Sequence, residues 1–155
     1  MDIALNCIDL LTIFYKTIPS SLNIVGTTVK EILRHIEKSY GSEIDEEILF
    51  ELRVVLNELI VNAIIHGNKF DVRKKIKITS GLTKDKRAYF IITDDGDGYD
   101  YNYILKKCNE LPHMACNEHL SESGRGILIV KSLCEQIIFN KNGSEVMIIK
   151  KLEKD

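Results

Sequence analysis

The stretch from Asp45 to His66, "DEEILFELRVVLNELIVNAIIH", sets the first constraint on this chain. Ile48, Leu52, Val55, Leu56, Leu59 and Ala63 recur at helical spacing, so one stripe of a long helix must be buried. Asp45, Glu46 and Glu47 put negative charge at its start, where the helix dipole favours it. Gly67-Asn68 supplies the stop. Glu58 and Asn62 lie four apart at one edge of the apolar stripe, and His66 follows four later, so all three share a helix face. A partly buried carboxylate and amide need partners. Polar pairs at this spacing are common on helices, so the row alone defines no site.

Around this helix the pattern alternates between strand and helix. "TIFYKTI" (12–18) reads as a strand, and Leu22 to Lys38 as an amphipathic helix ending near Gly41. After the long helix come strands at "KKIKITSG" (74–81) and "AYFIITD" (88–94), then a less regular region, 101–123. An apolar helix, "ILIVKSLCEQ", and two strands, "IIFN" and "EVMIIKKL", close the chain; Asn142-Gly143 between them is a strong hairpin signal. The order β-α-α-β-β-loop-α-β-β predicts an α+β fold, a two-layer sandwich with a mixed sheet and helices on one face. The 155 residues fit one domain, 1–155, large enough to bury its own core.

Bulk properties exclude some functions. Twenty-one basic residues stand against 23 acidic ones, a net charge of -2, so neither direct nucleic-acid binding nor membrane binding driven by charge is indicated. Four cysteines without a CxxC pair suit a reduced, cytoplasmic chain. The start, "MDIALNCIDLLTIF", lacks the basic residues of a signal peptide, and no apolar run is long enough for a membrane span.

Two further stretches carry chemistry. "DDGDGYD" (94–100) follows a strand, and Gly96 and Gly98 allow backbone to approach a ligand closely. An EF-hand reading fails: counted from Asp95, position 5 is Tyr99, position 6 is Asp100 and position 12 is Lys106. "SGRGI" (123–127) opens a helix, where backbone N–H groups and the dipole favour an anion. It has neither Rossmann spacing nor a P-loop pattern.

These three features in this order resemble the ATP-binding domain of the GHKL superfamily. Within it, "NELIVNAIIHGNKFDVRKKI", "ITDDGDGYD" and "SGRGILIVKSLCEQIIFNKNGSEVMIIKK" are similar to the anti-sigma-factor serine/threonine kinases, from about residue 12 onward. The resemblance implies a Bergerat-type fold with an ATP lid, and ATP and Mg²⁺ as ligands. It implies that Asn62 holds Mg²⁺ and that Glu58 accepts or orients the proton of the attacking hydroxyl. Asp94 would bond the adenine amine, Gly96 and Gly98 would let backbone pass the nucleotide, and Gly124 and Gly126 would hinge the lid. The implied partners are a sigma factor and a small antagonist protein, with pairing as a homodimer through the sheet and first-helix side.

One departure bears on activity. Some kinase members similar to this chain carry arginine just before the "SG" of the lid, where this chain has Glu122. Arg125, inside the GxG, is the candidate replacement. That departure favours the alternative of an ATP-dependent partner switch without phosphoryl transfer; a third, weaker reading is the catalytic domain of a histidine kinase. His35 lies in "LRHIEKSY" and lacks the surroundings of a phosphorylated histidine. His66 reads as a packing or capping residue. Cys108, His113, Cys116 and His119 are candidate zinc ligands by type, but their C-x4-H-x2-C-x2-H spacing matches no common finger.

Overall fold

The structure, a computed structural model, describes residues 10–110 and 122–154. Strand β1 (Leu10–Pro19) leads through one 3-10 turn into α1 (Val25–Tyr40), then α2 (Glu46–Asn62). Strands β2 (Lys75–Thr83) and β3 (Ala88–Asp94) follow, then helices α3 (Tyr101–Glu110) and α4 (Glu122–Leu133), and strands β4 (Gln136–Phe139) and β5 (Glu145–Lys150).

The expected α+β sandwich is present, with one correction. The sheet has the order β1-β2-β3-β5-β4, and every pairing is antiparallel rather than mixed. The chain returns from α4 to the sheet edge as β4, then folds inward through its hairpin. That inserts β5 between β3 and β4, the two strands that run the same way. Gly143, at φ 78°, and its N–H bond to the Asn140 carbonyl (3.1 Å) make the hairpin turn.

The helix signals hold locally. Gly41, at φ 77°, terminates α1, and Asp45 caps α2 by accepting from the Glu47 N–H at 2.9 Å. All six expected stripe residues of α2 are buried. They join Val29, Ile32 and Ile36 of α1 against Ile76, Ile78, Phe90, Ile92 and Ile148 of the sheet. On the opposite sheet face, Tyr89, Ile91, Met147 and Ile149 form a separate buried cluster. The region expected to be irregular instead contains α3 and the start of α4. Asp100 starts α3 by accepting from the Tyr103 N–H (2.9 Å), but only Tyr101 and Ile104 bury along its described part. Two apolar positions are too few to show a period in sequence.

Candidate functional site

The polar row at the end of α2 meets the loop after β3. Asn62 closes the regular part of α2, and Ala63–Gly67 continue it as a single wider π turn, with the Asn68 N–H bonded to the Ala63 carbonyl at 2.8 Å. Such turns are rare and often sit at functional sites. This one places Gly67 directly against the Asp94 carboxylate, where a Cβ would overlap it. Gly96 in turn lies so close to the Gly67 carbonyl that only a residue without a side chain fits.

Asn68 fixes this junction. It is 1% exposed, and its amide donates to Ser20 Oγ (2.7 Å) and the Lys75 carbonyl (3.0 Å). Its side-chain oxygen accepts from the Asp95 N–H at 2.8 Å. The Asp94 N–H donates to the Ser144 carbonyl (2.9 Å), and Asp94 Oδ1 accepts from the Gly96 N–H (2.8 Å). The end of β1, the start of β2, the β3 loop and the β4–β5 turn are thus tied at one point.

Asn62 and Asp94 face one small cavity, closed further by Tyr101, Ile127, Phe139 and Ser144. Its volume is about 10 Å³, room for one water at most. A nucleobase enters only if side chains move. Asn62 is 5% exposed, yet its amide nitrogen has no hydrogen-bond partner. A buried unpaired donor calls for an explanation, and a ligand is one. Tyr101 stacks on Phe139 with ring centres 4.5 Å apart and meets Tyr99 at 4.9 Å; Tyr99 reaches His66 at 5.1 Å. Burial holds the His66 imidazole below its usual pKa, so it sits neutral in this aromatic row near pH 7.

Glu58 is partly buried one turn before Asn62, and the lid end comes to it: a Cβ on Gly126 would overlap its carboxylate. Helix α4 begins at Glu122, so Gly124 and Gly126 lie inside its first turns rather than opening it. Gly124 and Gly126 are buried, whereas Arg125 is exposed. Gly98, at φ 95°, packs on the Asn142 carbonyl of the β4–β5 turn and does not line the cavity. The structure therefore brings Glu58, Asn62, Asp94, Gly96 and Gly126 together, leaves Arg125 outward, and gives Gly98 a turn-packing role. The side chains of Glu122 and Cys108, and residues His113, Cys116 and His119, lie outside the described residues. Among the described residues no group of three or more His, Cys, Asp or Glu side chains is placed to hold a metal ion.

Sequence reasoning missed Gly67, Asn68, Tyr101, Phe139 and Ser144. Gly67-Asn68 was legible as a helix stop, but the contact with Asp94 crosses 27 positions of chain. The aromatic row joins α3 to β4 and has no local signature.

Burial pushes the Asp94 carboxyl up to about 6, opposed by the Gly96 N–H bond and raised further by neighbouring Asp95. The folded protein thus holds a proton there that the unfolded chain gives up nearer 3.9. More protons are bound folded than unfolded between those values, so stability falls as pH rises through about 4 to 6. Asp94→Asn is expected to flatten that part of the stability–pH curve, read by thermal denaturation at each pH. An unchanged slope in the variant would assign it to another group.

The chain is similar to known proteins. A family model described as "Histidine kinase-like ATPase domain" matches residues 19–150. A Bacillus cereus (strain ZK / E33L) protein named serine-protein kinase RsbW is 27% identical over 106 residues, 68% of this chain and 65% of that protein. The chain thus spans just under two thirds of that relative's length. A Bacillus subtilis (strain 168) protein of the same name is 25% identical over 136 residues, 87% of this chain and 82% of its own. Among solved structures, the histidine kinase domain of the Erythrobacter litoralis EL346 blue-light activated histidine kinase superposes with a TM-score of 0.53 at 14% identity. That match covers 83% of this chain and 61% of the other, and it supports the fold alone.

Proposed function

Because the chain belongs to the histidine kinase-like ATPase domain family, we propose that it binds Mg-ATP and phosphorylates a serine or threonine of a small antagonist protein, so releasing or capturing a sigma factor. The observation that carries this reading is the convergence of Asn62 and Asp94 on one cavity, with Glu58 one turn away beneath Gly126. The kinase names of the Bacillus relatives support it. The reading includes a cytoplasmic setting, control of transcription and pairing as a homodimer. No helix among the described residues is long and apolar enough to cross a membrane.

The residues fit the ligands they are assigned. The Asn62 side chain carries an unpaired buried donor beside its carbonyl oxygen, and that oxygen is a hard ligand suited to Mg²⁺. When bound, the ion neutralises charge on phosphate oxygens. Ionised Asp94 accepts a hydrogen bond from the exocyclic amine of adenine, a donor that guanine lacks at that position. ATP affinity is therefore expected to fall as pH drops below about 6. Glu58 takes the proton of the acceptor hydroxyl as its oxygen bonds to phosphorus and the bond to ADP breaks. Gly126 leaves room for that carboxylate. A second reading, an ATP-dependent partner switch without transfer, is favoured by Glu122 in the lid and by the outward Arg125.

A thermal-shift titration tests nucleotide binding. Mg-ATP at 100 times its Kd should stabilise by about 2.7 kcal/mol, a rise of roughly 5–10 °C at this size. Mg-GTP should give little, and Asn62→Ala should lose the Mg²⁺-dependent part. No rise with either nucleotide would remove the function proposed.

A further inference from the structure

The segment joining the π turn to β2 holds a backbone form that side chains rarely adopt. Lys69 (φ 51°) and Phe70 (φ 59°) are consecutive left-handed residues, and neither is glycine. For a bulky aromatic this is an outlier. Three backbone bonds pin it: Phe70 N–H to the Ile64 carbonyl (2.9 Å), Asp71 N–H to Asn68 (3.0 Å) and Lys74 N–H to Asp71 (2.9 Å). Asp71 spends its carboxylate on Arg73, accepting from its backbone N–H and its guanidinium. The result is a rigid loop whose apolar tips stand in water: Phe70 is 52% and Val72 63% exposed. Strained conformations of this kind persist where the surroundings over-determine them, and they cluster at functional surfaces.

The charge around the tips has one dominant sign. Lys69 is exposed and Lys74 partly so, and Lys75 and Lys77 point outward from β2 between the buried Ile76 and Ile78. Among the described residues neither Lys69 nor Lys74 is in an ion pair. Of the carboxylates nearby, Asp71 is engaged by Arg73 and Asp95 by the Lys75 N–H at 2.8 Å, while Asp71 and the half-buried Asp94 also feel the charge of Lys74. In a chain of net charge -2 this is a local concentration of positive charge. An aromatic anchor within a charged rim is the usual anatomy of a protein-binding hot spot, and a pre-fixed loop loses little freedom on docking.

We infer that the loop at 69–74, with Lys75 and Lys77, is a docking surface for an acidic protein face with an apolar groove that receives Phe70 and Val72. Charge complementarity selects the partner's sign, and the two tips select its apolar groove. The loop starts immediately beyond Asn68, two residues from the glycine that seats Asp94, so the partner docks on the rim of the nucleotide site. An anionic membrane would also attract the lysines, but two tips on one short loop offer far less apolar area than an amphipathic helix. The proposed function enters only in taking the partner to be a protein; the surface stands without it.

The test uses fluorescence anisotropy of the full chain with a labelled amphipathic peptide of glutamates and leucines at helical spacing. Saturable binding that weakens with salt is expected, with none to the same peptide carrying lysine for glutamate. Lys69→Glu with Lys77→Glu should weaken it at least about tenfold, as should Phe70→Ser with Val72→Ser. Thermal melts of both variants check that they fold, and their Mg-ATP shift should match the parent. No peptide binding, or binding indifferent to both variants, overturns the inference. So does co-sedimentation with phosphatidylserine vesicles, lost in the variants, without peptide binding. Peptide binding in a protein that gives no Mg-ATP shift keeps the docking surface and removes the proposed function.

Discussion

Glu58→Gln is expected to lower phosphoryl transfer by roughly 10²–10⁴-fold, the range for a lost general base, while the Mg-ATP thermal shift stays within a degree or so of the parent. The amide has the size and shape of the carboxylate, so the contact with Gly126 survives. What it lacks is basicity. Asn62→Ala attacks the other half of the site, and the two variants should separate: one keeps the full Mg-ATP shift without reacting, the other loses the Mg²⁺-dependent part of that shift. Transfer is measured as radiolabel passing from γ-labelled ATP to the antagonist protein. If Glu58→Gln transfers within a few-fold of the parent, Glu58 is not the base. If the parent itself transfers nothing yet binds Mg-ATP, the partner-switch reading holds, and Glu122 at the lid is the first residue to exchange for arginine.

The parts of this site legible in the sequence are those in which chemistry and period coincide. The α2 stripe was readable because Ile48, Leu52, Val55, Leu56, Leu59 and Ala63 repeat at 3.6 residues, and Glu58 and Asn62 line its edge at i and i+4. Strand β3 was bounded correctly because its apolar run ends at Asp94 and glycine follows at Gly96. The parts that were not legible depend on contacts between distant segments. Nothing near Gly67 announces that Asp94 will lie against it, nor does Asn68 reveal that it bonds to Ser20, Lys75 and Asp95. The antiparallel sheet was missed for a similar reason: hairpins on either side of a helix do not say whether the second folds inward or outward. Here it folds inward, and β5 takes the place beside β3.

Gly96→Ala is expected to be the most damaging single-methyl change in the site. The added Cβ would overlap the Gly67 carbonyl, a backbone group, and would press on Asp94 Oδ1 at 3.0 Å. Neither neighbour yields easily. Gly67 is held by the π turn and by the three bonds of Asn68, and Asp94 is held by Ser144. Overpacking of this kind costs about 1–3 kcal/mol, a fall of roughly 2–12 °C in Tm at this size. Relief must move the Gly67 carbonyl or the β3 loop, and either shifts Asp94 against the end of α2, so the remaining folded protein should also lose its Mg-ATP shift. Gly26→Ala is the matched comparison. Gly26 lies in α1 with open space where the methyl would go. There alanine should be neutral or stabilising by up to about 1 kcal/mol through helix propensity. The same substitution thus has opposite signs at two glycines, set by what each faces. A Gly96→Ala protein with parental Tm and parental Mg-ATP response would show that the β3 loop does not press on the end of α2, and the placement of Asp94 would fall with it.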